Sequence, residues 1–269
     1  MKGFFQRILR VDLTNRTSRE ETLDEAVLGR YLGGKGLATH LLLQNNPAGV
    51  DPFAPQNHIV LALGPASDTP LYGSCRHGIF SKSPLTGLYA ESYSGGSLAI
   101  PMSRTGYDAF IIAGAADRPL WLEISDAAVT FHDAADLWGR DTFETEAEIR
   151  KRAAAEKPGT MVIGPAGENR VRIAVVKNDG WRVAGRGGLG AVFGSKNLKA
   201  VAFHGSRSRP VAQPAALKQH ARDMLARLKD HPATQAYRNL GTPMMVNILN
   251  KAGAFPTRYW SEGRFAQFE

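Results

Sequence analysis

Two stretches of this chain return later in the same order. Ile59-Val-Leu-Ala-Leu-Gly64-Pro65-Ala66 is echoed by Thr160-Met-Val-Ile-Gly164-Pro165-Ala166. Tyr107-Asp-Ala-Phe-Ile-Ile-Ala-Gly114, followed by Arg118-Pro119, is echoed by Leu198-Lys-Ala-Val-Ala-Phe-His-Gly205, followed by Arg209-Pro210. One such match arises easily by chance, whereas two in the same order point to duplication. The expected fold class is α+β, with two similar α+β subdomains at about residues 1–105 and 106–210, each carrying a glycine-rich loop between strand groups.

Local patterning fills in these halves. Arg7-Ile-Leu-Arg-Val-Asp-Leu-Thr alternates as a half-buried strand, Asn15-Arg16-Thr17 is turn-like, and residues 18–22 can pair back. A helix is expected from Asp24, its cap, to Leu43, interrupted by Gly33-Gly34-Lys35-Gly36. Further strands are expected at 58–64, 78–82 and 87–91, then a short helix after Ser94-Gly95-Gly96. Residues 107–114 and 120–124 read as a hairpin around Ala116-Asp117-Arg118-Pro119. An amphipathic helix over 141–156 stops at Pro158-Gly159, and strands follow at 160–164 and 171–177. Beyond Pro210 only helical signals remain, at 214–231, 235–240 and 244–251. Residues 211–269 are therefore expected to open an all-helical domain that is cut short.

Composition limits the function classes. Hydrophobic residues make up 43% and charged residues 22%, which suits a folded globular chain. The lone Cys75 excludes an intrachain disulfide and a cysteine-built zinc or iron–sulfur site made from this chain alone. No apolar run reaches the ~18–20 residues of a membrane span, and the first residues lack a signal-peptide core. A cytoplasmic setting is the expectation, with no membrane partner. Lys and Arg number 33 against 25 Asp and Glu, a net charge of +8 that suggests an acidic partner: nucleic acid, a phosphorylated cofactor or an acidic protein. The basic residues are spread out, and the short groups Arg150-Lys151-Arg152 and Arg207-Ser208-Arg209 read as solvated surface.

The segment from Gly185 to Gly190 contains a literal GxGxxG. A dinucleotide fold needs a strand directly before it, a full helix after it and an acid about twenty residues on, and this context lacks them. Gly194-Ser195-Lys196 reverses the order a P-loop requires. The bare physics survives: glycines let several backbone N–H groups face one anion, and Arg182 and Arg186 flank them with guanidinium forks. Gly73-Ser-Cys-Arg76-His77-Gly78 and Tyr93-Ser-Gly95-Gly96 form a parallel set in the first half. Two such loops suit a ligand with two anionic ends, and tight corners are the competing explanation. His77 reads as a surface or structural histidine, Cys75 as a small buried thiol, and Glu91 and Asp108 show no paired-carboxylate spacing.

These residues resemble a known family. Arg7-Ile-Leu-Arg-Val-Asp-Leu-Thr, Tyr31-Leu-Gly-Gly-Lys-Gly-Leu-Ala, Gly64-Pro-Ala-Ser, Ser81-Lys-Ser-Pro-Leu-Thr, Ser94-Gly-Gly and Gly106-Tyr-Asp come in the order of the tungsten-containing aldehyde ferredoxin oxidoreductases. The resemblance is strongest at Arg182-Val-Ala-Gly-Arg-Gly-Gly-Leu-Gly-Ala-Val-Phe-Gly-Ser-Lys-Asn-Leu-Lys-Ala-Val. It implies that residues 1–210 cradle a tungsten (or molybdenum) bis-pyranopterin whose phosphates are bridged by magnesium. Arg76 would reach between pterin and cluster, and Tyr93, Gly95, Arg182, Val183, Gly185 and Arg186 would line the cofactor. Tyr93 stands where a smaller polar residue such as Asn is usual, and Val183 where Ala is usual.

The implied reaction oxidises an aldehyde to a carboxylic acid, with electrons passing through a 4Fe–4S cluster to ferredoxin or another electron-transfer protein. The cluster cysteines and the catalytic residues would lie beyond residue 269, so the chain is expected to be part of a longer protein or a split subunit, inactive alone. No metal ligand from this chain is expected, and a homodimer or electron-transfer subunits are compatible partners. Two alternatives stand beside this reading. One is a family member acting on another substrate, such as an aromatic acyl-CoA thioester. The other is a non-catalytic anion- or nucleic-acid-binding module driven by the positive charge.

Overall fold

The computed structural model describes residues 1–268 and divides into two compact units, Met1–Gln213 and the stretch from Pro214 onward. The first unit begins with β1 (Arg7–Asp12), β2 (Thr17–Thr22), α1 (Glu25–Tyr31), α2 (Gly34–Asn45), β3 (Ile59–Leu63), β4 (His77–Lys82), β5 (Tyr89–Ser94), α3 (Ala99–Arg104) and β6 (Ala109–Ala113). It continues with β7 (Leu120–Ile124), β8 (Val129–Asp133), α4 (Thr142–Arg152), β9 (Gly159–Val162), α5 (Pro165–Glu168), β10 (Val176–Asn178), β11 (Arg182–Ala184), α6 (Leu189–Ser195) and β12 (Leu198–Phe203).

The twelve strands form two six-stranded sheets, ordered β2-β1-β6-β3-β4-β5 and β8-β7-β12-β9-β10-β11. The second order is the first with every strand number raised by six. The directions repeat as well: β1 runs parallel to β6 and β7 to β12, while β3 and β9 are antiparallel to those partners. The sequence echoes fall on equivalent strands. Gly64-Pro65 follows β3 and Gly164-Pro165 follows β9, while the second pair of echoes forms β6 and β12.

Strand residues alternate faces, and this sets the layers. Leu9, Val11, Leu61, Phe110 and Ile112 of the first sheet share one core with Leu122, Ile124, Met161, Val201 and Phe203 of the second. Phe110 and Phe203 meet edge-on across it, with ring centroids 5.2 Å apart. The opposite faces bury against helices: Ile8, Val60, Phe80 and Ile111 against Leu28, Leu37 and Leu41 of α1 and α2, and Trp121, Val162 and Ala200 against Ile149 of α4. Asp24 and Asp141 cap α1 and α4 by accepting backbone N–H bonds at 2.7–2.9 Å.

Several local expectations change. Residues 107–114 and 120–124 do not form a hairpin: β6 and β7 belong to different sheets, and β7 instead turns back on β8. Both runs are buried on both faces, so each needs two strand neighbours, which a single local turn cannot supply. The sheets consequently divide between Ala113 and Leu120, and not at 105–106. The strand expected over 171–177 shrinks to β10, and β8 and β11 were not foreseen. Residues 24–43 form two helices, broken at Leu32-Gly33.

The second unit contains α7 (Pro214–Lys229), α8 (Pro232–Leu240) and α9 (Met245–Lys251). Its strand-like pairing among the described residues is a single bridge between Thr257 and Glu262. Among the described residues, no helix of the chain is long and apolar enough to cross a membrane.

Candidate cofactor-binding seam

β5 and β11 are terminal strands of their sheets, and side-chain bonds sew their surroundings together. Ser94 Oγ donates to Asn178 Oδ1 at 2.6 Å, and Asn178 Nδ2 donates to the Gly95 carbonyl at 3.0 Å. The Arg186 N–H donates to Ser92 Oγ at 2.9 Å, and Ser83 Oγ donates to the Gly187 carbonyl at 2.8 Å. Alternation makes this possible: Ser92 and Ser94 point inward and are buried, while Glu91 and Tyr93 point outward.

All seven expected cofactor residues lie along this seam. Arg76 is exposed directly before β4, whose first residue, His77, pairs with Ser94, so Arg76 neighbours Gly95. Arg182 opens β11 opposite Asn178, and Val183, 48% exposed, follows. Gly185 and Arg186 leave β11 exposed. Tyr93 and Arg186 line one groove of about 360 Å³ with Ser83, Tyr89, Glu91 and Gly187. Arg76, Gly95, Arg182, Val183 and Gly185 lie outside that groove's lining.

The electrostatics favour an anion. Among the described residues, Arg76, Arg182 and Arg186 form no ion pair, although most other arginines of this unit do. A side chain added at Gly95 would meet nothing within 4 Å, so the backbone there is open to a ligand. Other glycines of the seam are structural. A Cβ at Gly188 would lie 1.9 Å from the Arg172 carbonyl oxygen at φ +69, and one at Gly190 would lie 2.3 Å from that of Val175. The glycine-rich run thus combines ligand-facing and packing glycines, and it leads into α6, whose residues are all buried.

Neighbouring side chains are tuned by their surroundings. The Tyr93 phenol donates to Glu91 Oε2 at 3.0 Å, while Lys35 Nζ reaches Glu91 Oε1 at 2.9 Å. Burial, and then the Glu91 carboxylate, hold that phenol well above the ordinary tyrosine range, so it stays protonated. His77 is buried between the sheets and not on the surface. Burial pulls it down to about 4, and its Nδ1 has no hydrogen-bond partner among the described residues. Burial likewise pushes the Cys75 thiol up, which suits an inert packing thiol.

A larger cavity of about 700 Å³ adjoins one end of the seam at Ser97 and is lined also by Arg104, Asp126, Arg150, Lys157 and His204 among others. Its charged groups are mostly engaged: Arg104 with Asp68, Arg150 with Glu146, and His204 with Glu123. Size therefore favours that cavity, but free charge favours the seam, and free charge is what a phosphorylated ligand needs. No group of three or more His, Cys, Asp or Glu side chains that could hold a metal ion occurs among the described residues. The unpaired guanidinium groups and open backbone at Gly95 fit a large anionic cofactor that brings its own metal ligands.

Comparison with known proteins shows the family. Residues 8–205 match the model of the aldehyde ferredoxin oxidoreductase N-terminal domain, and residues 219–269 match that of domains 2 and 3 of the same enzymes. The chain belongs to the aldehyde ferredoxin oxidoreductase family. It is 39% identical over 264 residues to the tungsten-containing aldehyde ferredoxin oxidoreductase of Pyrococcus furiosus, covering 98% of this chain and 44% of that protein. The Pyrococcus abyssi counterpart is 41% identical over 266 residues, with the same coverages. The chain thus spans less than half the length of these curated relatives, which are oxidoreductases. The fold resembles a solved active-site complex, BamBC of benzoyl coenzyme A reductase with 1,5-dienoyl-CoA, with TM-score 0.81 and 34% identity. That match covers 85% of this chain and 35% of the other.

Of the residues that sew the seam, Ser83 and Ser94 fall inside the Ser81-Lys-Ser-Pro-Leu-Thr and Ser94-Gly-Gly motifs, whereas Ser92, Asn178 and Asp179 stand in no such motif. Asn178-Asp179-Gly180 carried a signal for the last two, because Asp-Gly marks a tight hairpin turn, here joining β10 to β11.

Proposed function

We propose that this chain forms the bis-pyranopterin-binding part of an enzyme that oxidises aldehydes to carboxylic acids. The balanced half-reaction takes up one aldehyde and one water and releases one acid, two protons and two electrons. A 4Fe–4S cluster, when bound by the whole enzyme, would supply electron transfer to ferredoxin or another electron-transfer protein. When bound, the tungsten (or molybdenum) pterin supplies the two-electron and oxygen-transfer chemistry. The chain's own residues bind and orient it. Arg76, Arg182 and Arg186 would offer guanidinium forks to its phosphates, and Gly95 and Gly185 would let backbone amides approach. Tyr93, kept protonated beside Glu91, closes the groove as a neutral hydrogen-bonding wall.

The observation that carries this reading is the set of three arginines without ion pairs where the two sheet edges meet. The division into a β-rich cradle, residues 1–210, and the opening of a helical domain, 211–269, belongs to the same proposal. A second reading keeps the cofactor but changes the substrate to an aromatic acyl-CoA thioester. Its support is the likeness in fold to the benzoyl coenzyme A reductase complex, which holds 1,5-dienoyl-CoA.

The test is metal and pterin analysis of the full-length protein purified without oxygen, with Arg182→Ala beside it. Stoichiometric tungsten or molybdenum with pterin is expected in the wild type, with loss in the variant. Aldehyde-dependent and acyl-CoA-dependent dye reactions separate the two substrates. A metal-free, pterin-free protein that binds RNA with steep salt dependence would overturn both readings.

A further inference from the structure

Asp179 occupies the point where the two halves of the seam meet. Its side chain is only 13% exposed, and it accepts bonds from both halves. Oδ2 accepts the Ser97 N–H at 2.6 Å, the Leu98 N–H at 3.1 Å and Asn178 Nδ2 at 3.1 Å. Oδ1 accepts the Ser97 hydroxyl at 3.1 Å and an Arg150 N–H at 3.4 Å. A carboxylate has about four lone-pair positions, so these five donors saturate it.

The backbone around Asp179 is equally constrained. It adopts φ +47 and, with Gly180 at φ +71, reverses the chain from β10 into β11, so the position of Arg182 follows from this turn. The Gly180 N–H is held from the other side by Glu146 Oε2 at 3.0 Å, which also accepts Lys177 Nζ at 2.9 Å. Opposite, Gly96 sits at φ +94 against the carboxylate. A Cβ there would fall 2.2 Å from Asp179 Oδ2 and 3.2 Å from Arg182 Cγ.

We propose that Asp179 is a positioning residue for the pterin-binding seam: it pins the Gly95–Gly96 loop of the first half to the Arg182 hairpin of the second. This rests on the function proposed above. Its carboxylate acts in two ways. It sets the direction of the backbone leaving Gly95, through the Ser97 and Leu98 amides. It also leaves Arg182 free, because its own acceptor sites are filled by other donors and no ion pair with Arg182 forms among the described residues. The guanidinium is then available to an anionic ligand. A two-sided ligand needs both loops at a fixed separation, and preorganisation of that kind lowers the ordering cost of binding.

The experiment uses the full-length protein purified without oxygen, as wild type, Asp179→Ala, Asp179→Asn and the control Ile149→Val. Ile149 packs against Trp121, Val162 and Ala200 on the helix-covered face of the second sheet, so its variant lowers stability without removing a contact of the seam. Tungsten and pterin are measured per folded protein, with thermal melting of the metal-free form and the tungsten(V) electron paramagnetic resonance spectrum of the loaded form. The expected result is a loss of at least about tenfold in metal and pterin retention for Asp179→Ala, the scale seen when residues supporting a metal site are removed. Ile149→Val should stay loaded although it melts lower. Asp179→Asn, which keeps an oxygen for the Ser97 and Leu98 amides, should recover part of the loading but show a shifted spectrum. Full loading with an unchanged spectrum in Asp179→Ala overturns the proposal. If that variant does not accumulate folded, Asp179→Asn decides: faster tungsten loss supports the proposal, and wild-type loss and spectrum overturn it. An empty wild-type protein would instead defeat the underlying function.

Discussion

Arg209 and Asp108 form an ion pair whose side chains are each 1% exposed, with Arg209 Nη1 2.7 Å from Asp108 Oδ1. Arg209 Nη1 also donates to the Gly3 carbonyl at 2.9 Å, Nε donates to Ser103 Oγ at 3.2 Å, and the guanidinium lies 4.7 Å above the Phe5 ring. Asp108 Oδ2 accepts the Gln6 N–H at 2.8 Å. Arg209→Ala removes the cation but leaves the carboxylate in place, with the Gln6 amide as its remaining partner. Breaking a buried pair on one side costs about 3–5 kcal/mol, because the surviving charge stays desolvated. A domain is typically stable by about 5–15 kcal/mol, so the loss is about a fifth or more of the total. With a urea dependence of about 2 kcal/mol per molar, the unfolding midpoint of the sheet-containing unit should fall by about 1.5–2.5 M. Circular dichroism during urea titration reads this directly. The double variant Asp108→Leu/Arg209→Met should recover most of the loss, since apolar replacement of both partners removes the stranded charge. A cost below about 1 kcal/mol for Arg209→Ala, the value of a solvated surface pair, would refute the reasoning.

Two further outcomes follow from buried titratable groups. The folded-state pKa of His77 is about 4 against 6.5, so the unfolded chain binds the extra proton. Its contribution is complete above pH 6.5 and is lost as pH falls toward 4, amounting to about 3 kcal/mol. His77→Leu should flatten the stability–pH curve in that window, although His58, also held at about 4 by burial, keeps part of the slope; an unchanged slope would contradict the burial of His77. Lys196 Nζ donates to the carbonyls of Pro55 at 3.0 Å and Gly114 at 2.8 Å, tying the second half of the sheet-containing unit to the first. Lys196→Met should cost about 1–3 kcal/mol by leaving the Gly114 carbonyl unpaired, while the Pro55 carbonyl keeps the Gly114 N–H at 3.1 Å. Burial lowers Lys196 from 10.5 to about 8, so the wild type gains stability as pH rises through that interval and the variant should not. Equal stability of the two proteins at pH 7 would show that water replaces the ammonium.

Much of this protein follows from residue order alone. The Gly-Pro-Ala echo announced a duplication because equivalent strands end in equivalent turns, and β3/β9 and β6/β12 are those strands. The arginine and glycine loops suggested an anion because glycines let several backbone N–H groups face one ligand and arginines flank them, with tight corners as the competing explanation. Strand pairing was different. Ala109–Ala113 and Leu120–Ile124 look like two arms of a hairpin, and no local rule says that each is an inner strand of a separate sheet. Whether a doubly apolar strand turns back or crosses over depends on which distant strands compete for its edges. The seam has the same character. Ser92, Asn178 and Asp179 are ordinary polar residues in sequence, and only the meeting of two sheet edges turns them into fasteners. Charge and glycine content therefore pointed to the kind of ligand proposed here. Long-range pairing, which no window of neighbouring residues encodes, decided where the two loops meet to hold it.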